Sequence, residues 1–169
     1  MKRSILAAAV VLSAALSGAI PAEAAAIPDF PQPKTFGTTF QSDPRHDFTK
    51  HISSRKDGIL RGWITYVAPS QVEYKPIKWV KDKYSEGHFV GPAEGDVTAY
   101  ASPVAKNVVF LSAFGCSATL GGFTVDKLGL GAKRCSRKAL LTRAAKFTRP
   151  SLITVYRGQI VKVQEIYTP

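Results

Sequence analysis

Ten Lys or Arg residues run from Lys127 to Lys162 without one Asp or Glu among them. Residues 26–126, by contrast, hold 11 basic and 10 acidic residues, so nearly all of the +11 formal charge gathers at one end of the sequence. A near-neutral body with one cationic region concentrates anions beside that region. The chemistry this spacing offers is electrostatic. Lys133, Arg134, Arg137, Lys138, Arg143 and Lys146 form the densest part and are the candidate polyanion-binding residues. A solvated face that only keeps the protein soluble is the competing reading.

The other chemistry-bearing residues are sparse. Cys116 and Cys135 are the only cysteines. In an oxidising compartment two lone cysteines predict a disulfide. That bridge would close a loop of about 20 residues, worth on the order of 3 kcal/mol in the chain-entropy model. Zinc would need more ligands than two Cys and three scattered His. His46 and His51 are five apart with Pro44 nearby, which is not the i, i+4 spacing of a helical metal pair, and His88 lies in a polar connection. Glu165, between Val163 and Tyr167, is the acid most expected to be buried, and burial would demand a partner such as an Arg. No G-x-S-x-G, H-E-x-x-H or phosphate-cradling glycine loop occurs, so no catalytic residue, metal or cofactor is expected. Trp63 and Tyr74 would make a sugar- or peptide-stacking platform if they lay on an outer face, though core packing is the expectation.

The elements that must position these groups are mainly β. Residues 1–25 read as a signal peptide. Lys2 and Arg3 precede an apolar run from Ile5, and Ala22-Glu23-Ala24 suits cleavage. No Cys follows the apolar run and no later stretch approaches membrane-spanning length, so a soluble, secreted, extracellular product is expected, with cell-wall association one option. Residues 26–57 form an extended arm carrying prolines and four phenylalanines. Residues 58–169 form the compact β-rich domain.

Strands are expected at 59–67, 72–79 (interrupted by Pro76 and therefore an edge or bulged strand), 96–101 and 107–111. Residues 81–95 read as a long polar connection, and in the glycine-rich disulfide segment Gly121, Gly122, Gly129 and Gly131 mark turns around the short stretch 123–125. Ser136 should cap a helix over 137–147 whose apolar stripe is Leu140, Ala144 and Phe147, with Lys138 and Lys146 facing water. Core packing explains that stripe better than docking on a membrane. Residues 152–156 and 160–166 flank Arg157-Gly158-Gln159 as a C-terminal β-hairpin. The fold expected is a single curled antiparallel sheet or small open barrel of six or seven strands, with one helix and one disulfide.

The ending Gly158-Gln159-Ile160-Val161-Lys162-Val163-Gln164-Glu165-Ile166-Tyr167-Thr168-Pro169 resembles a string, G-x-[IV]-x-x-[IV]-x-E-x-Y-x-P, of small exported β-rich proteins from Gram-positive, especially actinobacterial, bacteria. Gly62-Trp63-Ile64-Thr65-Tyr66 and Pro103 to Val108 are loosely similar to the same group. The resemblance implies a leader and a compact β-rich domain, with no assigned role; the Cys116–Cys135 segment departs from it as an insertion. Three functions follow as expectations. The first is a non-catalytic binding module whose basic region engages an anionic envelope polymer or acidic partner, with nucleic acid not expected as the physiological one. The second is an inhibitor or toxin-like module gripping another protein through the 116–135 disulfide loop. The third is an envelope hydrolase.

Overall fold

The computed structural model describes residues 26–41, 43–117, 119 and 121–168; the expected signal peptide lies outside them. Its strands are β1 (Gly58–Val67), β2 (Val72–Pro76), β3 (Lys78–Val80), β4 (His88–Val90), β5 (Tyr100–Ser102), β6 (Val104–Ser112), β7 (Lys133–Cys135), β8 (Pro150–Tyr156) and β9 (Gln159–Glu165), with helix α1 (Arg137–Ala144) between β7 and β8. Seven strands form one open sheet in the order β5-β2-β1-β8-β9-β6-β7, and β3 and β4 pair separately.

The C-terminal hairpin is the element its own residues dictate most directly. Arg157 and Gly158 both take positive φ, 51° and 73°. Two such residues make the tight turn whose twist suits paired strands. Tyr156 then faces Gln159 across the turn. Less local is what β9 does next: it lies between β8 and β6, antiparallel to the first and parallel to the second. The sheet is therefore mixed rather than wholly antiparallel, and it does not close into a barrel.

Two further expectations change. The second strand stops at Pro76 and is interior, not an edge. Its β5 partner covers only Val72 to Tyr74, so the missing N–H of Pro76 deprives no neighbour. The connection 81–95 contains β4, which pairs with β3 as a small hairpin. The third expected strand begins four residues late, at Tyr100, because Asp96 instead folds a turn by accepting from the Thr98 N–H, 2.8 Å.

Alternation along β1 shows both faces of the sheet covered. Leu60 and Ile64 belong to the larger core with Tyr74, Phe110, Leu140, Ile153 and Val163. Ile59 and Trp63 point the other way, packing against a smaller cluster of Ile77, Phe89, Leu130, Leu152 and Ile166. Helix α1 covers the first face. The β3–β4 hairpin and part of the arm cover the second, where Phe36 meets Trp79 and Phe89 at ring-centroid distances of 4.8 and 5.9 Å.

The arm is also tied by hydrogen bonds. β2 ends at Pro76 opposite Gly62, leaving the Ile59 carbonyl and Arg61 N–H of β1 without a strand beside them. The Gln41 side-chain amide takes that place, donating to Ile59 O at 2.6 Å and accepting from Arg61 N at 2.5 Å. The Arg61 guanidinium, buried on this face, donates to the carbonyls of Lys34 (2.6 Å), Thr39 (2.7 Å) and Ile77 (3.1 Å).

Candidate functional site

The basic segment starts on β7, the edge strand, held to β6 by the pairs Phe110–Cys135, Leu111–Arg134 and Ser112–Lys133. The disulfide joins Cys135 to Cys116, with a Cα–Cα distance of 5.3 Å. Ser136 follows in an extended conformation, and its hydroxyl accepts from Ala139 N, 3.2 Å. This cap starts α1 where the sequence places it. The helix ends at Ala144 rather than 147, and Lys146 and Phe147 lie in the turn beyond it.

Lys133, Arg134, Lys138 and Lys146 are exposed, and Arg137 is half-buried with its Nε donating to Val104 O at 3.3 Å. Among the described residues, ion pairs join Lys50 to Asp47, His88 to Asp82 and Arg143 to Glu165, and none reaches these five bases. No acid among the described residues of the front half forms an ion pair with them. The edge position gives the bases on β7 a second physical effect: Lys and Arg there discourage pairing with another sheet.

Arg143 is not part of that surface. It is 2% exposed and sits on the inner face of α1, three residues after the buried Leu140. Its Nη1 lies 3.1 Å from each Glu165 carboxylate oxygen and 2.5 Å from Ser112 Oγ, while Nη2 donates to the carbonyls of Gly115 and Ser117 at 2.7 Å each. Of the expected apolar stripe, Leu140 is buried and Leu141 and Ala144 pack against the core, while Arg143 is buried beside them and Phe147 is left exposed. The buried acid expected at Glu165 does have an Arg partner, and Ser112 Oγ and Ala113 N also donate to it, at 2.7 and 2.8 Å. A carboxylate so fully engaged is held as a structural anion.

The wider set of ten bases does not form one field. Arg157, in the β8–β9 turn, lies near the start of β6, where Val104 faces Ile160; Lys133 lies at its end, beside Ser112. They lie at opposite ends of β6, whose pairing with β9 from Ile160 to Gln164 alone spans roughly 13 Å. Arg149 stacks on Phe114 and Phe147, at 4.8 and 5.7 Å from the ring centres.

Other candidates resolve as packing. Tyr74 is buried, bonded through its hydroxyl to Ser102 Oγ (2.9 Å) and Arg55 N (3.2 Å), and burial pushes its pKa up. With Tyr74 inside, it forms no outer platform with Trp63. His46 stacks on Phe48 and Tyr100, at 4.5 and 4.8 Å, while His88 pairs with Asp82 at 3.1 Å. No group of three or more His, Cys, Asp or Glu among the described residues could hold a metal. No helix among them is long and apolar enough to cross a membrane.

Two features escaped the sequence reading. The disulfide loop exposes apolar side chains, Phe123 at 67% and Leu128 at 52%, with Phe123 against Tyr167 at 4.9 Å. A hollow of about 300 Å³ also opens where the arm meets β5, lined by Phe40, Phe48 and Tyr100 with Asp43 and Asp96. The available signal for the hollow was the density of phenylalanines in an arm otherwise built of prolines and polar residues. Comparison with protein-family models, curated proteins and solved structures returns no match for this chain. The resemblance of the C-terminal string therefore rests on its own residues.

Proposed function

We propose that this protein is an exported, non-catalytic binding module whose basic edge engages an anionic envelope polymer or an acidic partner. The supporting observation is local: Lys133, Arg134, Arg137 and Lys138 fall within six residues on an edge strand and the helix it enters, with Lys146 beyond, and no acid among the described residues forms an ion pair with any of them. Such a surface attracts polyanions at long range and loses that attraction as salt screens it. Wall teichoic polymers, acidic polysaccharides and anionic lipid head groups all present the required charge; the expected leader at residues 1–25 would bring the protein to them.

The test is retention of the purified protein on an anionic wall fraction across a salt series. Retention should fall by about tenfold or more from low to high ionic strength. A variant with Lys133, Arg134, Lys138 and Lys146 all changed to Gln should be retained weakly at every salt. Retention that ignores both salt and these substitutions would rule the reading out.

A second reading is favoured by the exposed Phe123 and Leu128 on the disulfide loop. A loop of this kind, with apolar anchors on a bridged frame, suits an inhibitor-like grip on another protein. It predicts a stoichiometric complex that resists salt and is lost with Phe123→Ser.

A further inference from the structure

The hollow at the arm has a character opposite to the rest of the molecule. The whole chain carries a formal charge of +11, yet the residues lining this space include two carboxylates and no Lys, Arg or His. Phe48 and Tyr100 meet at 60° with centroids 5.3 Å apart, making an aromatic corner. Phe40 stands at the rim, partly exposed. Three prolines close the remaining walls.

The polar groups narrow the ligand. Gln41 spends its amide on the β1 backbone, and the Thr98 hydroxyl is committed to Asp96. Asp43 is 6% exposed; its Oδ2 accepts from Lys56 N at 3.0 Å, and among the described residues its other oxygen has no hydrogen-bond partner. Tyr100 is fully buried and stacked on Tyr74 at 5.5 Å, with its pKa pushed up to about 12, first by desolvation, so it backs Phe48 and adds no charge. A sugar would find too few free donors here. An anion would meet two carboxylates. A neutral apolar ligand would strip water from Asp43 without replacing it.

A cation lacking N–H donors satisfies all these conditions, because aromatic faces and carboxylates both attract it while neither demands a hydrogen bond. The volume lies at the small end of the roughly 300–1,000 Å³ usual for small-molecule sites. We propose that the hollow between the arm and β5 binds a small quaternary ammonium ion, held by the rings of Phe40 and Phe48 and the carboxylates of Asp43 and Asp96, with the buried Tyr100 backing Phe48. The rim already receives an ammonium from the chain itself: Lys78 Nζ lies 4.9 Å from the Phe40 ring centre. Lys78, His46 (tilted against Phe48 and edge-on to Tyr100), Arg55 (which acts electrostatically on Tyr100), Arg45 (next to Pro44) and Lys56 (whose backbone N–H bonds Asp43) are neighbouring basic groups, and none lines the cavity.

Binding is measured by amide chemical-shift perturbation in the disulfide-intact protein, titrated with choline and with its neutral carbon isostere, 3,3-dimethylbutan-1-ol. Choline should bind with a Kd in the millimolar range or tighter, shifting residues 40–48 and 96–100, and should outcompete the isostere by about tenfold. An acetylated trimethyllysine amide carries the same head group on another tail. Whichever of the two ammonium ligands binds tighter names the source, and either supports the site. Asp43→Asn and Phe48→Leu should each weaken choline by about tenfold. Asp96→Asn, at an exposed position that burdens folding least, should weaken it a few-fold and carries the test if Asp43→Asn does not fold. Equal affinity for the two isosteres, no shifts at these residues, or undiminished choline preference in Asp96→Asn and Phe48→Leu would overturn the proposal.

Discussion

Arg61 and Arg143 are each 2% exposed, on opposite faces of one sheet, and they are held in different ways. Arg61 reaches three backbone carbonyls and no carboxylate; its pKa is lowered by desolvation. Arg143 reaches two carbonyls, a serine and the Glu165 carboxylate. Both bind segments that have little regular structure. The first fastens the arm across β1, and the second fastens the start of the disulfide loop beneath α1. What differs is the cost of removal. Taking away Arg61 leaves carbonyls that water can reach once the arm loosens. Taking away Arg143 leaves a buried carboxylate at the end of β9 without its cation.

That difference sets an order of expected losses. Arg143→Ala should cost the most, about 3–5 kcal/mol, because an uncompensated buried charge remains. Equilibrium denaturation measures it. Glu165→Gln should cost clearly less, since the guanidinium keeps the Gly115 and Ser117 carbonyls, much as Arg61 manages without an acid. Equal losses for the two variants would show that carbonyls alone cannot hold a guanidinium in this core, and the comparison with Arg61 would break.

Arg61→Ala comes next, at about 1–3 kcal/mol. Its signature is local: hydrogen exchange and protease access should rise in residues 34–41 while β8 and β9 stay protected. A uniform loss of protection would mean that the arm is part of the sheet's cooperative unit rather than a strap laid over it. Gln41→Ala should be the smallest, about 1 kcal/mol, with faster exchange at the Arg61 amide whose acceptor has gone.

How much of this was readable beforehand follows from the range of each interaction. The β8–β9 hairpin, the Ser136 cap and the Cys116–Cys135 bridge are set by neighbours in sequence or by the lack of any other partner, and they stand where the residues place them. Glu165 announced its burial through Val163, and its need for an Arg followed from electrostatics. Which Arg did not follow. Arg143 looked like one more member of a basic run, and only the packing of α1 on the sheet, with Leu140 one turn earlier, turns it inward. The parallel β6–β9 pairing, which sets Val104 beside Ile160, and the docking of the arm, which sets Gln41 on Ile59 and Arg61, were equally hidden, since no local periodicity signals either match. Of the proposed basic edge, the five remaining bases keep solvent access, wholly or in part, because β7 is an edge and α1 offers it only one buried face.

Because β9 runs between β8 and β6, the middle of the sheet is completed by the last of the described strands in chain order. Until it emerges from the ribosome, β6 has no neighbour on one side and Glu165 is not yet there to meet Arg143. Contacts that join such distant segments form slowly. The middle of the sheet is thereby kept open until β9 arrives, and the Arg143–Glu165 pair forms only with it.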